Sequence, residues 1–150
     1  MEKRKTKVLV PIDDTQTTKS VLDYIINMSS TSRSWQIRLV HIHRIPSASE
    51  ELMGKKFTSV QPKKMLAMLE SARDKLVDHG FIPEMVNLEV IKQDYPSVAD
   101  GIIDQYKKQE CDLVIIGRRK MSKAEEFVMG DISIKLIRML ERAAVLVVTR

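Results

Sequence analysis

Short apolar runs rich in β-branched residues alternate along the chain with longer stretches whose apolar residues recur at helical spacing. We interpret the runs as strands and the stretches between them as helices, because a parallel sheet with crossover helices requires this alternation. The pattern predicts an α/β fold with an open five-stranded parallel sheet and helices on both faces. The predicted strands are residues 7–12, 35–43, 85–91, 112–117 and 145–149, and the predicted helices are residues 17–28, 62–79, 94–108 and 131–141.

Three segments carry further information. Residues 112–117 are apolar without a break, which is typical of a strand covered on both faces and predicts a position at the centre of the sheet. The helix over residues 62–79 begins at Pro62 and stops before Gly80, as proline and glycine favour at the two ends of a helix. Residues 44–60 are polar and lack steady periodicity, so a long loop is expected there.

The composition is that of one folded domain spanning residues 1–150, with 43% hydrophobic and 30% charged residues. The longest apolar run, residues 143–148, falls short of the roughly 20 residues that cross a bilayer, and the charged residues 1–7 precede no signal-peptide core. No membrane partner and no export are therefore expected. A single cysteine, Cys111, forms no internal disulfide and indicates a reducing, cytoplasmic location. Because Cys111 directly precedes an apolar strand, we assign it a packing role.

The charge excess is small, since 25 Lys+Arg against 20 Asp+Glu give +5. The basic residues are scattered and are not interleaved with aromatic side chains for base stacking, so a nucleic-acid partner is not predicted. His41 and His43 fall on one face of the second strand, but two histidines are too few for a tetrahedral metal site, and no metal is assigned. The sequence contains no nucleophile elbow or Walker lysine motif, so no catalytic residue is assigned either.

The candidate chemistry lies where the strands end. Open parallel α/β sheets bind their ligands beyond the carboxyl ends of the strands. In this chain those ends carry Asp13, residues 41–44, residues 117–120 and residues 130–133. Asp13 taken alone is also a carboxylate that could cap the following helix.

These segments resemble the universal stress protein family. The resemblance rests on the first strand KVLVPIDDT, the second-strand end LVHIH, and the fourth strand DLVIIGRR with a glycine further on, and it covers essentially the whole chain. It implies a Rossmann-like sheet of strand order 3-2-1-4-5. In the nucleotide-binding branch of the family the fourth strand ends in glycine, two residues, a second glycine, nine residues, and then glycine with serine or threonine. The matching residues here are Gly117, Lys120, Gly130 and Asp131, so the second glycine and the hydroxyl residue are replaced.

Both replacements bear on phosphate binding. Lys120 adds bulk where a glycine lets backbone amides approach a phosphate, although it also adds positive charge. The Asp131 carboxylate can accept hydrogen bonds from the helix amides that would otherwise attract an anion, so we interpret Asp131 as a helix cap. By resemblance, Asp13 would contact the ribose or base of a nucleotide, and Ile42 and Ile116 would border the adenine. The other implied positions are Pro11 in the first strand and Gly117, Arg119, Lys120, Gly130, Asp131, Ile132 and Ser133 around the phosphate loop.

Three functions stay open at this point. The first is a dimeric stress-response regulatory module that acts through a protein partner without tight ATP binding, and Lys120 and Asp131 favour it. The second is an adenine-nucleotide sensor that holds ATP or AMP in the crevice. The third, an electron-transfer or acyl-transfer enzyme on a similar fold, has no motif of its own. The apolar last strand would lie at the sheet edge and predicts a two-fold homodimer through Val145, Leu146, Val147, Val148 and Thr149.

Overall fold

A computed structural model describes residues 4–28, 30–45, 52, 62–120, 122–124 and 132–149 of the chain. Strands and helices alternate through these residues as the apolar pattern predicts. In chain order they are β1 (Lys7–Pro11), α1 (Gln16–Asn27), α2 (Ser30–Arg33), β2 (Gln36–Arg44), α3 (Pro62–Asp78), a 3₁₀ turn (Pro83–Met85), β3 (Val86–Tyr95), α4 (Val98–Lys108), β4 (Leu113–Arg118), α5 (Ile132–Met139) and β5 (Ala144–Thr149).

The five strands form one sheet in the order β3-β2-β1-β4-β5. Every neighbouring pair is parallel, so the carboxyl ends of all five strands meet at the same edge of the sheet. The strand order implied by the family resemblance is therefore confirmed. β4 pairs with β1 on one side and β5 on the other, so it is an inner strand, but the central strand of the sheet is β1 and not β4 as we expected.

A hydrophobic cluster lies on each face of the sheet. In β1, Val8 and Val10 belong to the cluster that α1 and α3 cover, whereas Leu9 belongs to the cluster that α4 and α5 cover. The same alternation divides β4, where Ile115 joins the first cluster and Ile116 the second. Successive side chains of a strand point to opposite faces, so a sheet covered on both sides needs apolar residues at consecutive positions.

The boundary between β3 and α4 differs from the prediction. We expected a helix to start at residue 94, but β3 continues to Tyr95, which pairs with Arg44 of β2 and is 8% exposed. The helix starts only at Val98, after Ser97, whose hydroxyl accepts a hydrogen bond from the backbone N of Asp100 at 3.1 Å. The Asp100 carboxylate in turn accepts the Ser97 hydroxyl proton at 2.7 Å, so the two side chains stabilise the start of α4 together.

The end of α3 is held by an arginine from another part of the chain. Gly80 has φ 96°, a conformation that favours glycine, and it ends the helix as predicted. Arg33 donates from Nε and Nη2 to the carbonyl oxygen of His79, at 3.2 and 3.0 Å. Its guanidinium also lies 5.2 Å from the centre of the Phe81 ring. Arg33 ends the short helix α2, which lies between the first predicted helix and the second predicted strand.

Candidate functional site

The loop after β1 holds Asp13 by one of its carboxylate oxygens. Asp13 Oδ1 accepts hydrogen bonds from the backbone N of Thr15 at 2.9 Å and from the Thr15 hydroxyl at 2.5 Å, and the Thr18 hydroxyl lies 2.9 Å away. Asp13 therefore orders the start of α1, although the residue at the N-cap position is Thr15. Within the described residues Asp13 Oδ2 has no recorded partner. The exposed carboxylate is thus anchored through one oxygen and can accept a ligand hydroxyl through the other.

The end of β2 is tied to both neighbouring strands by histidines. His41 Nδ1 lies 3.0 Å from the carbonyl oxygen of Ile12, and because a carbonyl only accepts, this nitrogen carries the proton. His43 Nδ1 lies 2.7 Å from Asp94 Oδ1 at the end of β3. Each contact links the end of β2 to a neighbouring part of the sheet, which gives both histidines a structural role. In the part of the chain that the structure describes, no group of three or more His, Cys, Asp or Glu residues is arranged to hold a metal ion.

The two isoleucines that the resemblance assigns to adenine are core residues. Ile42 is 5% exposed and Ile116 is 6% exposed, and both belong to the hydrophobic cluster beneath α4 and α5. Ile42 packs so closely on α4 that a Cβ added to Gly101 would lie 3.2 Å from Ile42 Cδ1 and closer still to its Cγ2. Both side chains have little surface left for a ligand.

Gly117 brings the end of β4 against the start of α1. A Cβ at this position would lie 2.8 Å from the Cβ of Thr17 and 3.1 Å from the Thr17 carbonyl oxygen. Real Cβ atoms essentially never lie within 3.0 Å of another side chain, and the contact to the carbonyl oxygen would also be tight, so the packing of α1 on β4 by itself favours glycine here. The contact also sets the basic turn that begins at Arg118 beside the segment that leads from Asp13 into α1.

The phosphate side of the predicted site is described only in part. Arg118 is half-buried at the end of β4, and Arg119 and Lys120 are exposed just beyond it. Gly130 and Asp131 lie outside the described residues. The last helix begins at Ile132, which is 39% exposed, and Ser133 is 9% exposed. Pro11 is half-buried and pairs with Val40 across β1 and β2.

Two cavities of the described structure lie away from this crevice. One, of about 50 Å³, lies at the amino ends of the strands and is lined in part by Cys111. Burial raises the pKa of the Cys111 thiol to about 11, and the residue packs against the second hydrophobic cluster, which supports a packing role. The other, of about 610 Å³, is an open groove between β3 and the end of α4. The strand ends stay the candidate site because they gather the anchored carboxylate and the basic turn.

The groove beside β3 contains a polar network that the sequence reasoning missed. Gln105 is only 3% exposed, and its Oε1 accepts a hydrogen bond from Arg38 Nη2 at 2.7 Å. The Tyr95 hydroxyl lies 2.5 Å from Asp104, so burial and this carboxylate raise the pKa of Tyr95. Hydrogen bonds from Tyr95 and Lys108 lower the pKa of Asp104. A glutamine between Ile102 and Tyr106 on the apolar stripe of α4 was the available signal. These groups satisfy one another, so the network is structural.

Fold and site together define a class of protein, namely a doubly wound parallel α/β domain with a ligand crevice at the carboxyl ends of its strands. The model of the universal stress protein family matches residues 5–148. The chain therefore belongs to the universal stress protein family, and the resemblance found in the sequence is confirmed. No curated protein matches the chain at the sequence level.

Solved structures of universal stress proteins share this fold. One, solved in complex with cAMP, is 13% identical with a TM-score of 0.65, and the match covers 97% of each chain. The protein from Archaeoglobus fulgidus, solved in complex with dAMP, is 12% identical with a TM-score of 0.56, covering 95% of this chain and 97% of that one. UspA from Lactobacillus plantarum is 14% identical with a TM-score of 0.56, covering 98% and 99%. At these identities the similarity establishes the fold.

Proposed function

We propose that this universal stress protein is a homodimeric regulatory module that acts by binding a protein partner and does not hold ATP tightly. The observation that carries the proposal is the burial of Ile42 and Ile116 in the core, at 5% and 6% exposure. An adenine ring gains binding energy from apolar surface that it removes from water. Here α4 already occupies that surface of Ile42, so an adenine would have to displace packed side chains.

The basic turn supports the same proposal. Lys120 carries a side chain where the nucleotide-binding branch of the family has glycine, so backbone amides at this position are less accessible to a phosphate. Its ammonium group attracts anions from a distance but does not replace several converging amides. We expect weak and non-selective attraction of phosphates by Arg119 and Lys120, both of which are exposed.

A second candidate function is an adenine-nucleotide sensor using ATP or AMP, and two observations favour it. The Asp13 carboxylate is held in place through Oδ1, as a contact to ribose hydroxyls would require. In addition, two relatives of the same fold were solved in complex with cAMP and with dAMP. The monophosphates are therefore ligands to test alongside ATP.

Thermal unfolding in the presence of ATP, ADP, AMP, cAMP and dAMP separates the two functions. A nucleotide at 100 times its dissociation constant stabilises the folded protein by roughly 2.7 kcal/mol, which shifts the midpoint by several degrees. The regulatory module predicts no shift with millimolar ATP. A saturable shift with any nucleotide, lost on Asp13→Ala, would favour the sensor.

Restoring the family signature gives a second test. The double variant Lys120→Gly with Asp131→Ser should gain ATP affinity if the loop is what prevents binding. Lys5→Gly with Asp78→Ser makes the same chemical changes at exposed positions away from the crevice and serves as the control. Failure of the signature variant to bind would place the obstruction at the buried isoleucines instead.

The homodimer is proposed from the contrast between the two edges of the sheet. The edge strand β3 exposes charged side chains such as Glu89, Lys92 and Asp94, which oppose pairing with another strand. The other edge strand, β5, has the sequence AVLVVT and carries no charge. We expect two copies to pair through β5, so that light scattering at micromolar concentration gives the dimer mass and Val147→Lys gives the monomer mass. A wild-type monomer would remove this part of the proposal.

The proposal has two further parts, which are that the protein binds its ligand or partner without catalysis and that it is cytoplasmic. The first rests on the missing catalytic motifs of the sequence, so that any nucleotide hydrolysis would be slow and incidental. The second stays a prediction from cysteine usage. None of the helices in the described segments combines the length and hydrophobicity that a bilayer-spanning helix needs.

A further inference from the structure

The open groove between β3 and the end of α4, here called the β3–α4 groove, lies where the helix stops covering the sheet. Arg38, Val40 and Ile42 share one face of β2, because alternate residues of a strand point to the same side. Val40 and Ile42 are buried in the cluster beneath α4, but the helix ends at Lys108 and leaves Arg38 beside the groove. The groove volume of about 610 Å³ lies within the range of small-molecule sites.

Arg38 is held in place by part of its guanidinium group. Nε and Nη2 donate to Glu89 Oε2 at 3.1 and 2.5 Å, and Nη2 also donates to Gln105 Oε1 at 2.7 Å. Nη1 can donate two further hydrogen bonds, and no partner of this atom is recorded within the described segments. The Arg38 side chain is 18% exposed, so the cation is already fixed and largely desolvated before any ligand arrives.

Two glutamines of the groove are oriented by cations. Lys108 donates to Gln93 Oε1 at 2.6 Å, and Arg38 donates to Gln105 Oε1. Because lysine and arginine only donate, both amide oxygens are acceptors within the network, and the amide nitrogens are left as donors. Gln105 Nε2 donates to the Tyr95 hydroxyl at 3.3 Å, whereas Gln93 Nε2 has no recorded partner in the described part of the chain. The network therefore uses these acceptors internally and leaves donors.

A bulge in β3 places a lysine at the groove. The paired residues advance from His41 to His43 in β2 but from Val90 to Asp94 in β3, so β3 has two extra residues between them. Lys92 lies in this bulge, lines the groove and is exposed. Among the residues that the structure describes, it has no recorded hydrogen bond or ion pair. Its ammonium group is thus available to a ligand.

The charges of the groove leave a positive surplus. Arg38 pairs with Glu89 at 2.5 Å, and Lys108 pairs with Asp104 at 3.1 Å, so each of these cations already has a carboxylate partner. Lys92 adds a positive charge to these two pairs. A ligand that fits this surplus of donors and positive charge must bring acceptor atoms with negative charge.

We propose that the β3–α4 groove binds a small molecule through an anionic oxygen of a carboxylate or phosphate group, which accepts hydrogen bonds from Arg38 Nη1, Lys92 and Gln93 Nε2. A small molecule fits better than an acidic peptide, because the charged side chains of β3, such as Glu89 and Asp94, oppose pairing of an extended chain with this edge. The groove is separate from the crevice at the strand ends and from β5. This proposal therefore stands or falls independently of the proposed function.

Nuclear magnetic resonance titration of the full chain tests the site, with inorganic phosphate and succinate as separate probes at constant ionic strength. The side-chain amide signals of Gln93 and Gln105 should shift and saturate, with a dissociation constant on the order of 1 mM. The amide of Gln105 is the sharper reporter, because this residue is only 3% exposed and general solvent effects reach it little.

Three variants assign the binding to the groove. Lys92→Gln should raise the dissociation constant about fivefold, because it removes one charge near the anion. Glu89→Gln should lower the constant about fivefold, since it removes a competing carboxylate but keeps an acceptor for the guanidinium group of Arg38. Lys64→Gln is the matched control, because Lys64 is an exposed lysine of α3 on the opposite face, and it should leave the constant unchanged.

The outcomes are decisive in both directions. Saturation by phosphate alone would identify a phosphate ligand and saturation by succinate alone a carboxylate ligand, and either result supports the site. Shifts that are absent or do not saturate, or that Lys64→Gln alters as much as Lys92→Gln, would overturn it. Saturable shifts confined to the amides around Gly117 would overturn it as well, by placing the anion at the basic turn. Binding of an oligoglutamate peptide but of neither probe would overturn the small-molecule ligand.

Discussion

Replacing Gly101 by alanine tests the close contact between α4 and β2. In a helix interior with open space around it, glycine to alanine stabilises a protein by about 1 kcal/mol. Here the new Cβ would lie 2.9 Å from Tyr95 Cδ2 and closer than that to Ile42 Cγ2, well inside the roughly 3.5–4.0 Å of a normal carbon contact. Overpacking of this kind costs about 1–3 kcal/mol, and we expect the upper end because both neighbours are buried.

The net expectation is a loss of about 2 kcal/mol, which lowers the unfolding midpoint of a chain of this size by roughly 4–8 °C. Urea unfolding followed by circular dichroism measures the free energy directly. A double-mutant cycle then locates the clash, since Ile42→Ala removes Cγ2, whereas Ile42→Val keeps it. The Gly101→Ala penalty should shrink in the Ile42→Ala background and persist in the Ile42→Val background. Unchanged or increased stability of Gly101→Ala would refute the contact and the burial of Ile42 that depends on it.

Three further predictions concern other parts of the fold. Cys111 should react with iodoacetamide at pH 8 at least about tenfold more slowly in the native protein than in urea, because burial raises its pKa to about 11, and equal rates would contradict this. Hydrogen bonds from Lys135 and Ser97 lower the pKa of Asp100, so its contribution to stability is present above the unfolded value of about 3.9 and is lost as the pH falls through the lower folded value. Asp100→Asn should therefore flatten the acid limb of the stability curve, and an unaltered limb would rule out this pair as its cause. Arg33→Ala should cost about 1–2 kcal/mol in urea unfolding, with little recovery in Arg33→Lys, because the carbonyl of His79 and the Phe81 ring both lose their partner; full recovery by lysine would show that charge alone suffices.

The strand pattern could be predicted because a sheet covered on both faces demands apolar residues at consecutive positions. The boundary after β3 could not, because residues 92–94 are polar and precede a proline, which resembles a helix start. Tyr95 continues the strand because its ring is buried against α4. The spacing of Ser97 and Asp100 was a readable capping signal that would have moved the helix start to its observed position.

The position of the candidate site could be predicted from the sequence, but whether the site has room for a ligand could not. The carboxyl ends of β1 and β4 follow from topology, so Asp13 and Gly117 were identifiable. Ile42 is buried against Gly101, and these two residues are distant in the chain. No local sequence pattern indicates such a contact. The same holds for Gly117 and Thr17.

The shape of the protein, independently of any ligand, demands a glycine at the end of β4. Thr17 and Val21 occupy the space that a side chain at position 117 would need. A relative with the same packing of α1 would be held to glycine there even after losing every trace of nucleotide affinity. This glycine therefore does not separate nucleotide-binding from non-binding members of the family. The residues equivalent to Lys120 and Asp131 are the ones that can separate them.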